Sequence, residues 1–253
     1  MLKIFRSVGI PVALLGFCWA LLSLALSEQL LPGPWLTLKT LAVDVQNPEI
    51  WLHLGATLAR VAVSFLLAMV LGTVAGILMG LVPWLDEILN PLLVVGLNIP
   101  MLVISVILYI ALGLNEMSAI LAVALNKIPI VVVMLREGTR ALNPKYFELA
   151  SSFRVPYYFT FKQIIFPQLI PYILAAARSG LSLVWKIVLV VEFLGRGNGI
   201  GFQIHMFFQD YDMAHILSYT TLFVCVMLSI DYGLMQRLDK GLLNWSERHG
   251  RGN

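Results

Sequence analysis

From Ile88 to Asn115 the chain carries no charged side chain, and the same holds from Ser7 to Ser27. At about 1.5 Å per helical residue, runs of that length cross the roughly 30 Å hydrocarbon core of a bilayer. Nor can the rest of the chain hide its apolar side chains in one soluble core: of 253 residues, 59% are hydrophobic and only 12% charged, and mean hydropathy is +0.87. The expectation is an all-α integral membrane protein. A net charge of +3 gives nucleic-acid binding no electrostatic support, so the position of the basic residues matters more than their number.

Six spans are expected. The first is Ser7 to Ser27, preceded by Lys3 and Arg6; its rival, a signal peptide cut near Ala25-Leu26-Ser27, would have an apolar run beyond the usual length of roughly 7 to 15 residues. Residues 28–54, with Pro32, Pro34 and Pro48, read as an external connection holding short helical pieces. The second span runs from about His53 or Ala56 to Leu81, and Gly72, Gly76 and Gly80 place small residues on one face as a packing seam. Trp84-Leu85-Asp86-Glu87 reads as a tight turn, Ile88 to Asn115 as the third span with a kink or break at Pro100, and Gly113 to Glu116 as an outward turn. The fourth span is Met117 to Leu135, the fifth Pro171 to about Leu194, and the sixth Met213 to about Met235; the glycine-rich 195–201 leads into an external loop with His205, Asp210 and Asp212. Six spans put both termini and residues 143–171 on one side. That side holds Lys3, Arg6, Arg136, Arg140, Lys145, Arg154, Lys162, Arg237, Lys240, Arg248 and Arg251, against Lys39 and Arg196 opposite, so it is the cytoplasmic side.

The longest polar stretch between spans, residues 143–171, reads as a helical hairpin at the membrane surface. Asn143 is an N-cap and Pro144 a first helical position, opening a helix to about Phe153. Tyr146, Ala150 and Phe153 recur as one apolar stripe, and Pro156 ends the element. A second short element, Tyr157 to Phe166, is expected to stop at Pro167.

This loop resembles that of the membrane subunits of ATP-binding-cassette importers, which carry Glu-Ala-Ala, three residues, Gly, nine residues, Ile-x-Leu-Pro. Here the match is Glu148-Leu149-Ala150, three residues, Arg154, nine residues, Ile164-x-Phe166-Pro167. Leu149, Arg154 and Phe166 depart from the motif, and Arg154 stands where the family glycine turns without a Cβ penalty; a left-handed Arg costs on the order of 1 kcal/mol. The resemblance extends over HLGATLARV (53–61), Ile99-Pro100 and SLVWKIVLVVEFLGRGNGIGF (182–202), and looks like the nitrate, sulfonate and taurine branch, although a second proline after Ile99-Pro100 is missing and Lys186 follows Trp185 directly. It implies one type I importer permease domain over 1–253, its core at about 53–245, with a cytoplasmic coupling-helix loop in which Tyr146, Phe147, Glu148, Leu149, Ala150, Phe153, Arg154, Ile164 and Pro167 meet the ATPase. It also implies the partners: a cytoplasmic ATPase dimer that carries the hydrolysis, a second permease subunit in a homodimer, and an extracytoplasmic binding protein, assembled in a bacterial cytoplasmic membrane.

Within the spans, Asn126, Lys127, Trp185, Lys186 and Glu192 are candidates for the translocation path. A charge at mid-bilayer costs about 2.5 to 3.5 kcal/mol, so the two lysines face either an aqueous path or an ion-pair partner such as Glu192 or Asp231. Arg178, nearer the inner surface, reads as snorkelling. His205 and His215 lack a second ligand at metal spacing, Cys18 and Cys225 fall in apolar spans, and no phosphate loop or hydrolase motif appears, so neither metal nor cofactor is expected. The cargo is expected to be a small anion such as nitrate, a sulfonate, taurine or a carboxylate. A pyrimidine-like or other nitrogenous nutrient, and a secondary transporter, stay open as alternatives; the latter is disfavoured by the lack of an internal repeat.

Overall fold

The computed structural model describes residue 14 and residues 16–27, 30–231 and 233, and among these every regular element is helical. Four helices are long and apolar enough to cross a membrane: Pro48–Leu81 (α3), Glu116–Arg140 (α6), Tyr157–Gly195, and Met213–Ile230 (α11). A fifth span is present if the broken pair Pro83–Asn98 (α4) and Met101–Leu112 (α5) counts as one. The expected first span is seen only as Gly16–Ala25 (α1), its beginning and the basic tail lying outside the described residues.

Several boundaries move, each for a backbone reason. Residues 28–54 do hold a helix, Pro34–Asp44 (α2), and α3 begins at Pro48, earlier than expected, because proline is well suited to a first helical turn. Trp84 to Glu87 is not a turn. Val82, extended by the proline that follows it, makes the break, and Pro83 starts α4 at once. The expected break at Pro100 is present and sharp: Ile99 is extended and the two helices meet at 98°. α6 opens on a reciprocal cap, in which the Ser118 N–H donates to Asn115 Oδ1 at 3.0 Å and the Asn115 N–H to Ser118 Oγ at 3.2 Å. The element beginning at Tyr157 does not stop at Pro167. It runs through Tyr157–Thr160 (α8) and a π-helical turn, Phe161–Ile165, into Phe166–Gly195 (α9), since a proline in the first turn after a π segment has little hydrogen bonding to lose. The expected external loop after residue 201 is likewise helical, Ile200–Gln209 (α10).

The chain forms two compact units. The larger, Ala59–Val191 with residues from Ser229, is built on the glycine seam. A Cβ on Gly72, Gly76 or Gly80 would stand 2.5–2.7 Å from Val131, Leu135 or Thr139, so α3 and α6 approach more closely than any side chain allows. Ile77, Val131, Leu135, Leu142, Ile165, Leu169 and Ala176 form its core. The Arg60 guanidinium grips Glu116 through two bonds of 2.7 and 2.6 Å, and Arg136 reaches Asp86 and Asn90 at 3.2 and 2.7 Å. The smaller unit, residues up to Leu58 with Glu192–Leu228, includes α2, α10 and most of α11.

Candidate functional site

The hairpin of the larger unit is assembled by local chemistry. Asn143 Oδ1 accepts from the Lys145 N–H at 3.0 Å, Pro144 opens the helix Pro144–Ser152 (α7), and Phe153 is its C-cap. Arg154 then takes φ +50, while its N–H donates to the Ser151 carbonyl at 3.0 Å and that of Val155 to the Ala150 carbonyl at 2.9 Å. These two bonds across a left-handed residue make a Schellman termination, the geometry that a glycine provides without strain. The turn expected from the motif is therefore formed, with Arg bearing its conformational cost.

Side chains divide the hairpin into two faces. Phe147 packs on the bundle core, Ala150 is buried, and Ile165 from the π turn is part of that core. Facing out are Tyr146, Leu149, Phe153 (75% exposed), Tyr157 (88%) and Tyr158 (67%), with Glu148 and Arg154 exposed among them and Ile164 and Pro167 half-buried. The expected stripe is thus split: Ala150 shares its face with Phe147, and Tyr146 and Phe153 lie outside it. Phe153 is the C-cap, with non-helical backbone, so the stripe's last member is outside the helix. Lys162 Nζ stands 5.7 Å from the Tyr158 ring centroid, bringing a cation to the aromatic face.

The expected path residues fall in both units, Asn126, Lys127, Trp185 and Lys186 in the larger and Glu192 in the smaller. Lys127 is fully buried, and its ammonium has no hydrogen-bond partner among the described residues. Its stem passes Gly180, where a Cβ would meet Lys127 Cε at 2.7 Å and Phe65 at 3.3 Å. Asn126 beside it is half-buried, Trp185 is buried, and Lys186 is exposed. In the same unit Ala175, Arg178, Ser179, Ser182 and Asp231 line a cavity of about 410 Å³ that sequence reasoning missed. Part of its signal was available: Arg178 and Ser182 recur at i and i+4, with Ser179 beside them, on a largely apolar helix.

Glu192 belongs to the smaller unit and is fully buried there. It accepts from Thr57 Oγ1 and from the Gly201 N–H, both at 2.9 Å, and Thr57 Oγ1 accepts from the Ile200 N–H at 2.8 Å. His53 adds a bond from the Gly199 N–H to its Nδ1 at 3.0 Å, and its Nε2 lies 2.7 Å from the Gln203 amide. Together these groups satisfy the open first turn of α10, and the acid opposes the helix's positive end. Gly199, at φ +115, is obligatory because a Cβ would overlap the Glu192 carboxylate. Of the two histidines set aside as ligands, His205 packs edge-on against Phe193, and His215 stacks on Phe207.

Known proteins point the same way. The sequence profile of a family described as "binding-protein-dependent transport system inner membrane component" matches residues 68–242. The chain is 26% identical to a putative aliphatic sulfonates transport permease protein of Bacillus subtilis (87% of this chain, 79% of the relative) and 26% identical to the taurine transport system permease protein of Escherichia coli (96% and 90%). Among solved structures it is similar in fold to a chain of an amino acid ABC transporter, with a TM-score of 0.59 at 18% identity, covering 82% of this chain and 97% of that one.

Proposed function

The chain belongs to the family of binding-protein-dependent transport system inner membrane components, and from that premise we propose that its hairpin 143–171 is the surface by which a cytoplasmic ATPase drives a path for a small anionic solute. As a member of that family it is a multi-pass permease of an ATP-binding-cassette importer. The carrying observation is the division of the hairpin into two faces. Phe147 and Ala150 bind it to the core of the spans, while Tyr146, Leu149, Phe153, Tyr157 and Tyr158 are left exposed by the described residues. An exposed aromatic face fixed rigidly to transmembrane helices suits a groove on a soluble partner, and movement of that partner is passed to α6 and α9 through the same core. In this reading the ATPase is a dimer, a second copy of the chain completes the permease, a binding protein delivers solute outside, and both termini are cytoplasmic. The aliphatic sulfonates permease among the relatives supports an anionic cargo.

The test is recovery of the ATPase with the tagged permease. Phe153→Glu removes an apolar anchor at no cost to the bundle and should lower co-purification roughly tenfold. Glu148→Ala, which removes the one carboxylate on that face, should weaken binding less. Normal recovery and normal solute-stimulated hydrolysis in both variants would remove the hairpin from the interface.

A further inference from the structure

Lys127 of α6 is fully buried, and its ammonium meets no hydrogen-bond partner among the described residues. It lies against bare backbone of α9: a Cβ on Gly180 would stand 2.7 Å from Lys127 Cε, 3.2 Å from Nζ and 3.3 Å from Phe65 of α3. A cation held in apolar packing without an acceptor is destabilised relative to one that meets water or an anion. Lys127 therefore opposes the arrangement that hides it, and favours any arrangement that lets its ammonium reach water or an anion. The helices that hide it are also the two that the hairpin joins. The hairpin is the chain between the end of α6 and the start of α9, and Phe147 and Ile165 tie it to the core that both helices share. Each helix carries a proline between the hairpin and the contact of Lys127 with Gly180, Pro129 in α6 and Pro171 in α9. A proline leaves a carbonyl of the preceding turn without its helical donor, so each helix can bend at that point.

We propose that Lys127 is an anion contact offered in one conformation only: stowed against Gly180 in the arrangement described, and uncovered to the anionic group of a solute when the hairpin draws α9 off α6. The proposal rests on the permease reading above and adds to it a residue and a state. Glycine at 180 is what makes the berth, since any side chain there would displace the lysine. An anion binds the uncovered form alone, so it biases the same two-state contact that the hairpin moves. Occupancy of the site and position of the hairpin are thereby linked, and each shifts the other by the same factor.

The experiment uses the full transporter complex in nanodiscs, nucleotide-free and trapped with ATP and vanadate. Its background is Cys18→Ser/Cys225→Ser, since both native cysteines are exposed and free. Methanethiosulfonate reagents are the probes, and labelling is read by mass on the permease chain. Lys127→Cys should react with the anionic sulfonatoethyl reagent about tenfold faster in one state than in the other, as a position that is stowed and then uncovered must. Phe65→Cys keeps the lysine and sets a thiol beside it. In the faster state the sulfonatoethyl reagent should outpace the cationic trimethylammonioethyl reagent by about tenfold, each rate taken relative to free cysteine. Adding Lys127→Met should remove that preference, a change that a lysine serving only to pack the helices would not produce. Should Phe65→Cys fail to assemble, Asn126→Cys, next to the lysine, takes its place. Equal rates for Lys127→Cys in the two states overturn the proposal, as does an anion preference that is absent with Lys127 present or that survives Lys127→Met. Either result leaves the permease reading standing if the ATPase is still recovered through the hairpin; a permease that never recovers it sinks that reading instead.

Discussion

Arg154 sets a charged, branched-chain-free but Cβ-bearing residue into left-handed backbone geometry, φ +50, closed by the two bonds of a Schellman turn. The energy is local and separable: Arg154→Gly should raise thermal stability by about 1 kcal/mol, the conformational cost removed. Differential scanning fluorimetry in detergent reads it, and a drop in stability would show that the guanidinium holds contacts worth more than the strain. Lys127 poses the opposite problem. Its ammonium is fully buried with no hydrogen-bond partner among the described residues, beside the bare backbone of Gly180. A neutral side chain of similar length should relieve that desolvation, so Lys127→Met is expected to be more stable than the unmodified chain by 1 kcal/mol or more, on the order of the cost of a buried unsatisfied group. A destabilised Lys127→Met would mean that the amine is satisfied by a group that binds it in the assembled transporter.

At the scale of elements, the helices are set by how their ends are closed. Asp212 heads α11, accepting from the His215 N–H at 3.1 Å and standing 2.7 Å from His215 Nδ1. Burial pushes its carboxyl upward, but hydrogen bonds from the backbone and ring of His215 and the backbone of Ala214 outweigh that and hold it below the ordinary aspartate value. A depressed value in the folded state stabilises the protein above the unfolded value and is lost as pH falls through the folded one. Thermal stability should therefore decline on acidification below about pH 4. Asp212→Asn, which keeps a capping oxygen, should show a shallower decline; identical acid profiles for the two proteins would count against a role for this carboxylate. The same dependence on ends explains the corrected boundaries. Pro83 and Pro48 start helices, and Pro167 passes without a stop because a π turn precedes it.

For the whole molecule, the proposed solute path concerns α9, whose Lys186 is exposed among the described residues, eight residues beyond Arg178 on the same face. Lys186→Met should lower uptake of an anionic solute several-fold in proteoliposomes while assembly and basal ATP hydrolysis persist. Loss of the folded complex, with normal transport in what survives, would assign the lysine to helix packing instead.

How far the chain could be read without coordinates follows from the range of the forces involved. Uncharged runs point to membrane insertion, and three glycines four apart mark a face of α3 that another helix can approach, because both depend on side-chain type and helical period; that the approaching helix is α6 came from the structure. The hairpin and its Asn143 cap were legible for the same reason, each being settled within a few residues, whereas the left-handed geometry of Arg154 was suggested only by the glycine of the motif it resembles and was fixed by the structure. What the tertiary structure alone decided involves residues distant in sequence. It set which hairpin side chains are covered, turning Ala150 inward and Phe153 outward. It buried Glu192 beneath the first turn of α10 with Thr57, and gathered Arg178 and Asp231 into one cavity. The cost of a charge in the membrane shows that it needs a partner or water, but the partner is chosen by the packing of helices, which no local pattern encodes.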